Sequence, residues 1–322
     1  METLNHQPRL AVAICTHDRR DYLRRALASL SNQTLAPELF EVLVVDNASR
    51  DGTHDTVASL QATMPNLRYA HEPRLGLSNA RNTASHEARA PLIAYLDDDA
   101  VATPGWAAAI VTAFASARPT PGAVGGPIDP IWESERPEWL PDELVPYLTV
   151  LDHGPSARAR EPRREPIFGA HLAFAVAALR EVGGFDARLG RVGQALLSGE
   201  ETLILRRLAR AGRTIHYTPS ARVGPHVPAE RLTPEWFVER AYQHGRSVAR
   251  LQALEQVAPW QRVARGAARL FGLSLQSVLP PMGSRVGSPA RHRLYQRCRR
   301  ATLSGWLQGL REARLPPETE RT

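Results

Sequence analysis

Three carboxylates stand side by side at Asp97, Asp98 and Asp99, directly after the apolar run Pro91–Leu96. If that run is a strand, the anions sit at its carboxyl end, where they repel one another. A hard divalent cation relieves such repulsion, because carboxylate oxygens suit Mg²⁺ or Mn²⁺. A cation held in this way, with positions still open, can grip a diphosphate. A solvated acidic turn is the other reading of an Asp triplet; the strand in front of it favours the first. Asp46 ends a second β-branched run. Its carboxylate can accept a hydrogen bond from a nucleotide-base imide N–H, or it can cap the following turn with Asn47 and Ser49 as local partners. Glu200 and Glu201 open a helix-like segment, where the helix dipole alone would favour two acids.

The elements that must position these groups follow from periodicity. Leu10–Cys15 reads as a buried strand, and Asp21–Asn32 has helical spacing through Tyr22, Leu23, Ala26, Leu27 and Leu30. Phe40–Val45 is a second strand. Asp51-Gly52 marks a turn, with Thr53 as the expected cap of the helix through Val57 and Leu60. Leu67–Ala70 and Leu92–Leu96 are further strands, separated by a helix over Ser78–Ala88, and Pro104-Gly105 opens a helix over Trp106–Ala117. Strands alternating with helices predict a mostly parallel sheet covered on both faces. Ligands of such sheets bind outside the carboxyl ends of the strands. Cys15-Thr16-His17, Asp46-Asn47 and the Asp triplet are therefore expected at one rim.

Beyond Gly122 the pattern changes. Gly122–Pro130 is rich in Gly and Pro, and Trp132 and Trp139 stand among acids and prolines, as a sugar-stacking wall or as ordinary loop packing. Ala157–Pro166 reads as a mobile arginine-rich loop and Ile167–Phe174 as strand-like. Short helices are expected at Ala178–Val182 and Thr202–Ala211, and short strands at Ile215–Tyr217 and Ala221–Val223. From Thr233 the chain reads as Arg- and Ala-rich helices broken by Gly245, Gly266, Gly272 and Pro280-Pro281. The tail after Pro316 is expected to be disordered.

The chain has 322 residues, a formal charge of +7, 40 basic residues that are all arginine, and two cysteines, Cys15 and Cys298. One potential pair is no disulfide framework, so a reducing compartment is expected. Met1–Arg9 is polar and gives no sign of a secretory leader. No run of about eighteen uncharged apolar residues suggests a membrane span.

Six segments together resemble the inverting family 2 glycosyltransferases of the GT-A fold. They are Ala11–Arg19, Val44–Thr53, Gly76–Asn82, Tyr95–Asp99, Gly183–Asp186 and Ser198–Glu201, in the family's order. The resemblance covers Leu10–His226 and says little about the rest. It implies an α/β nucleotide-diphospho-sugar transferase fold over residues 8–228, followed by a basic helical extension, 229–322.

The activity implied is metal-dependent transfer of a sugar from a nucleoside diphosphate sugar, with a UDP sugar first in line, to a hydroxyl of a glycan or lipid-linked acceptor. Cell-surface polysaccharide or glycoconjugate synthesis is the implied setting. By resemblance Asp46 binds the base, with Asn47 beside it, and Thr16 and Arg19 flank the base or its diphosphate; a helix-start role is the alternative for Thr16. Arg74 and Arg81 could meet base or phosphates, since guanidinium forks match such oxygens, or simply pair at the surface. Asp97 and Asp99 are implied for ribose and metal-bound diphosphate, with Asp98 adjacent and His226 as a further metal or diphosphate contact. The family places its general base at the second acid of the pair, here Glu201. The family's usual Asp is Glu here, which leaves the choice between Glu200 and Glu201 open. At His171 the family would have Asn, and Ala175 stands where Arg is common.

Two other classes of function fit parts of the sequence. A sugar-nucleotide nucleotidyltransferase needs a Gly-rich phosphate loop after the first strand, but Thr16-His17-Asp18-Arg19-Arg20 has no glycine. A non-enzymatic basic protein is permitted by the charge, yet the acidic rim argues against nucleic acid as a partner. The C-terminal helices could instead lie on an anionic membrane surface, anchored by Trp260, Phe271 and Trp306, or pack as a helical cap. The expected location is cytoplasmic, peripheral at the inner face of the membrane if those helices bind it.

Overall fold

The computed structural model describes residues 7–193, 196–257 and 288–312. In chain order the elements are β1 (Leu10–Thr16), α1 (Arg20–Ser31), β2 (Phe40–Asp46), α2 (Thr53–Gln61), β3 (Leu67–His71), α3 (Leu77–Glu87), β4 (Leu92–Leu96), β5 (Ala100–Ala102) and α4 (Trp106–Ser116). There follow β6 (Ala123–Gly125), β7 (Ile131–Trp132), β8 (Arg158–Ala159), β9 (His171–Ala175), α5 (Val176–Glu181), α6 (Glu200–Arg210), β10 (Ile215–Tyr217) and β11 (Val223–Val227). Two long helices, α7 (Pro234–Leu254) and α8 (Pro289–Glu312), complete the described chain.

The main sheet runs β3-β2-β1-β4-β9-β6-β10-β8. Its first four strands are parallel, with Thr16 opposite Asp46 and Asp46 opposite His71. β1 and β2 are buried along their whole length or nearly so, which is why LAVAICT and FEVLVVD read as continuous apolar runs rather than alternating ones. α1 turns Leu23, Ala26, Leu27 and Leu30 into the core, one stripe at helical spacing. The two faces of the sheet have separate cores, one around Leu10, Val12, Val42 and Trp106, the other around Ala13, Leu43, Ile93 and Phe174.

β9 enters between β4 and β6 antiparallel to both, with His171 opposite Leu96. The start of β9 therefore lies at the same rim as the end of β4. β5 and β11 pair antiparallel, Pro225 opposite Ala100.

Several local expectations are corrected. The N-cap of α2 is Gly52, and Thr53 is already inside the helix; Asp51, one residue before the cap, accepts through Oδ1 from both the N–H and the hydroxyl of Thr53, at 3.1 and 2.6 Å. The second late strand reaches Val227, so His226 lies within it. The arginine-rich loop is tied down: Arg158 and Arg160 both pair with Glu165, and Arg160 lies over the Tyr217 ring at 4.9 Å.

The chain divides into two compact units, one of residues 1–131, 149–188 and 200–226, the other of 132–148, 189–199 and 227–322. In the second, α7 and α8 pack at very short range. A Cβ built on Gly245 would lie 2.0 Å from the Thr302 carbonyl oxygen, and one on Gly305 1.9 Å from that of Tyr242. Only glycine permits backbones this close. Arg246 grips both oxygens of Glu312, at 2.9 and 3.0 Å. Trp306, expected as a membrane anchor, is 3% exposed and its indole N–H donates to Gln252; burial removes it from that role. Trp139 packs edge-on against Phe237 as part of this unit. Trp260, Phe271 and the tail after Pro316 lie outside the described residues. Among the described residues no helix is long and apolar enough to cross a membrane.

Candidate active site

At the carboxyl rim, the loops after β1 and β2 clasp each other. The Asn47 N–H donates to the Thr16 carbonyl, the Asp18 N–H to Ser49 Oγ at 3.0 Å, and the Arg50 N–H to Asp18 at 2.6 Å. Asn47 extends the clasp to the loop after β3. Its side-chain amide donates to the carbonyls of Glu72 and Arg74, at 3.0 and 2.9 Å, and its Oδ1 accepts from the Gly76 N–H at 2.7 Å. Asn47 thus organises the rim from within, buried at 4% exposure.

Asp46 is buried beside it. One carboxylate oxygen accepts from the Ser49 N–H at 2.8 Å and the other from the Tyr69 hydroxyl at 2.9 Å. Burial and the adjacent Asp46 anion push the Tyr69 phenol up to about 12, so it stays a donor. Each Asp46 oxygen keeps a lone pair for a further partner. Arg74 is largely exposed and forks onto buried Glu72. That fork holds the Glu72 carboxyl down to about 2, with Thr83 as a further donor.

Arg19 bridges two members of the Asp triplet, meeting Asp98 at 2.7 Å and Asp99 at 2.9 Å. Asp98 also accepts from the Thr16 hydroxyl at 2.8 Å. Burial nevertheless pushes the Asp98 carboxyl up to about 6, against the pull of Arg19, and the neighbouring Asp99 adds to the rise. The carboxylates thus remain crowded in spite of their arginine. The His226 N–H donates to the Asp99 carbonyl at 2.7 Å, bringing together residues far apart in the chain. The His226 ring lies 5.7 Å from that of Tyr22, on which the guanidinia of Arg19 and Arg25 also rest.

Arg81 joins this cluster to the acid pair. It projects from α3, with one nitrogen 2.9 Å from Glu200 Oε1 and the other 3.4 Å from Asp97 and 3.2 Å from the Gly169 carbonyl. Glu200 is buried and Glu201 partly so. Burial pushes the Glu200 carboxyl up to about 8; the adjacent Glu201 anion adds to the rise and Arg81 opposes it. Two acids this close do not both ionise readily. At neutral pH Glu200 therefore stays largely protonated. One oxygen of each, Oε2, is buried with no hydrogen-bond partner in the structure.

The profile of the family described as "Glycosyl transferase family 2" matches residues 11–173, half of the chain, and that stretch contains β1 to β4 and the Asp triplet. The chain belongs to glycosyltransferase family 2. It is similar to the glucosyl-dolichyl phosphate glucuronosyltransferase of Haloferax volcanii, 26% identical over 244 residues, 74% of this chain and 76% of the relative. The succinoglycan biosynthesis protein ExoM of Rhizobium meliloti is 28% identical over 254 residues, 77% of each chain. The validoxylamine A glucosyltransferase of Streptomyces hygroscopicus subsp. limoneus is 32% identical over 205 residues, 56% of this chain and 45% of the relative. In fold the chain is similar to the mannosyltransferase PcManGT from Pyrobaculum calidifontis, solved with GDP-Man and Mn²⁺, with a TM-score of 0.58 at 20% identity over 95% of this chain and 88% of that one. The protein is therefore a family 2 glycosyltransferase with a GT-A-like α/β fold and a helical C-terminal part.

The expected site residues of this glycosyltransferase thus fall into three groups. Thr16, Arg19, Asp98, Asp99 and His226 form one cluster around the end of β4. Asp46, Asn47 and Arg74 line the loops after β2 and β3. Arg81, Asp97, Glu200 and Glu201 form the third, reached through Arg81. Among the described residues no three His, Cys, Asp or Glu side chains already converge as a metal centre would require; Arg19 lies across Asp98 and Asp99 instead. The donor set nonetheless suits a hard divalent cation in kind, since Asp97, Asp98 and Asp99 bring three adjacent carboxyl groups to the end of β4. Tyr22, Tyr69, Glu72 and Gly169 were not singled out from sequence, because their roles depend on which side chain meets them across the fold. His171 is fully buried, with its Nδ1 accepting from the Trp106 indole at 3.1 Å and its pKa lowered to about 3 by burial. It is a neutral core residue.

Proposed function

We propose that the rim binds a nucleoside diphosphate sugar and that Glu201 acts as general base in a single, inverting displacement. One observation carries the reading: the guanidinium of Arg81 bonds both Glu200, the first of the acid pair, and Asp97 of the triplet. Glu201 takes the proton of the acceptor hydroxyl as its oxygen attacks the anomeric carbon. The bond from that carbon to the diphosphate oxygen breaks, and its electron pair leaves with the nucleoside diphosphate. Glu200 is buried and held by Arg81, whereas Glu201 is only partly buried, which favours Glu201 as the base. Asp46 offers a base imide an acceptor, and Thr16 and Arg19 flank the base or the diphosphate. A divalent cation held by Asp97 and Asp99, with His226 alongside, would supply Lewis-acid stabilisation of the departing diphosphate.

Relatives named for glucosyl-dolichyl phosphate and for succinoglycan biosynthesis support a glycan or lipid-linked acceptor. UDP sugars come first as donors, with GDP sugars next, because the neighbour of similar fold was solved with GDP-Man. The test is a panel of nucleotide sugars with Mn²⁺, Mg²⁺ or chelator, following release of free nucleoside diphosphate. The reading predicts release from one donor class, dependent on the cation and lost in Asp99→Ala. Cation-independent release, or an Asp99→Ala variant as active as the parent, would count against it.

A further inference from the structure

We propose that Arg81 is a positioning residue for the acid pair rather than a contact to the donor. Three features of the geometry point this way. Its side chain is 4% exposed, so little of it can reach a ligand. One nitrogen is committed to Glu200 Oε1 at 2.9 Å, and the other is shared by the Gly169 carbonyl at 3.2 Å and Asp97 at 3.4 Å. The cation is also walled by aromatic rings, Tyr95 at 5.7 Å and Phe185 at 5.5 Å, and the Tyr95 hydroxyl donates to the Arg81 carbonyl at 2.8 Å. A planar fork held on so many sides fixes whatever it grips.

What it grips is the first turn of α6. Glu200 is fixed through Nη1, and Glu201 follows on the same turn, where its carboxyl carbon would lie 3.3 Å from a Cβ on Gly169. Gly169 thus leaves room for both Arg81 and Glu201. Glu200 faces Arg81 from α3 and Glu201 on its own turn, and Arg81 in turn faces Asp97 after β4 and Cys15 from β1. Arg81 is the one cation among these described groups; it fixes the place of Glu200 and opposes the rise that burial imposes on it. This inference rests on Glu201 being the base, but its test separates the two claims.

Arg81→Gln and Arg81→Lys are compared with the parent. For turnover, kcat in Arg81→Gln is expected to fall at least tenfold, with the pH at which activity rises displaced upward, while the donor KM stays within about threefold. Arg81→Lys, which keeps the charge and loses the fork, is expected to recover part of kcat. A donor KM raised tenfold or more, with the pH profile unmoved, would overturn the proposal and return Arg81 to the donor. The second readout needs no turnover. Melting temperature is followed from pH 4 to 9 in all three proteins, and the loss of stability that Glu200 imposes should extend to higher pH without Arg81, because Arg81 holds that carboxyl down. If no donor is turned over, the reading of Glu201 as base fails by itself, and an unchanged melting profile in Arg81→Lys and Arg81→Gln alike would overturn the role of Arg81.

Discussion

The two glutamates at the head of α6 differ in setting: Glu200 is buried and accepts from the Arg81 guanidinium, and Glu201 is partly buried. Glu200 ionises at about 8 in the folded chain against an ordinary 4.5, because burial disfavours its anion. Between those values the folded chain holds a proton that the unfolded chain has lost, so stability falls as pH rises. The contribution is fully present below about pH 4.5 and gone above about pH 8. Glu200→Gln should flatten that slope in a melting series across this range, and an unchanged slope would place the titration elsewhere. The triplet and the acid pair were legible in sequence because charges placed directly after an apolar run, or at a helix start, are visible without a structure. Their partners were not. Arg81 and Glu200 are 119 positions apart and Arg19 and Asp98 are 79 apart, and no local pattern connects them.

At the scale of elements, the rim depends on loops that hold one another through side chains. Asn47 makes three hydrogen bonds to backbone groups of the loop after β3. Removing them strands two carbonyls and an amide in a buried place, at about 1 kcal/mol or more each. Asn47→Ala should lower the unfolding free energy by roughly 2–4 kcal/mol and weaken nucleotide binding, read by denaturant titration and calorimetry. An equally stable variant would remove Asn47 from its organising role.

The helix pair of the second unit gives a contrasting case. Gly305→Ala should destabilise by about 1–3 kcal/mol, because its Cβ would collide with the Tyr242 carbonyl. Gly105→Ala has nothing within 4 Å of the new methyl and should be neutral or slightly stabilising. Equal melting temperatures for the two variants would contradict the close approach of α7 and α8. The parallel half of the sheet was legible because each strand is a short apolar run followed by a helix of clear period. β9 was legible as a strand but not in its direction, which follows from its place between β4 and β6. β11 was read too short because Gly224 and Pro225 look like a loop, yet they pair with Val101 and Ala100.

For the whole molecule, segments 132–148 and 189–199 belong with the C-terminal helices rather than with the sheet that flanks them in sequence. In sequence the pattern changes beyond Gly122 and again from Thr233, and neither change marks these two segments as a group, since tertiary grouping leaves no periodic mark. The net charge of +7, carried on arginines alone, predicts attraction to anionic surfaces that salt screens. The 322-residue chain should sediment with anionic vesicles at low ionic strength and be released as salt is raised. A chain that stays in the supernatant at low salt would remove the membrane from the account.

The most direct test of the division of labour at the rim is calorimetry of donor binding paired with turnover in Glu201→Gln, using the donor found by the nucleotide-sugar panel and the same cation. Glu201→Gln should bind that donor within about threefold of the parent and lose turnover by at least about a hundredfold, since proton transfer by a positioned base contributes on that order. A Glu201→Gln variant that still turns over, or one that fails because it no longer binds donor, would contradict Glu201 as the base.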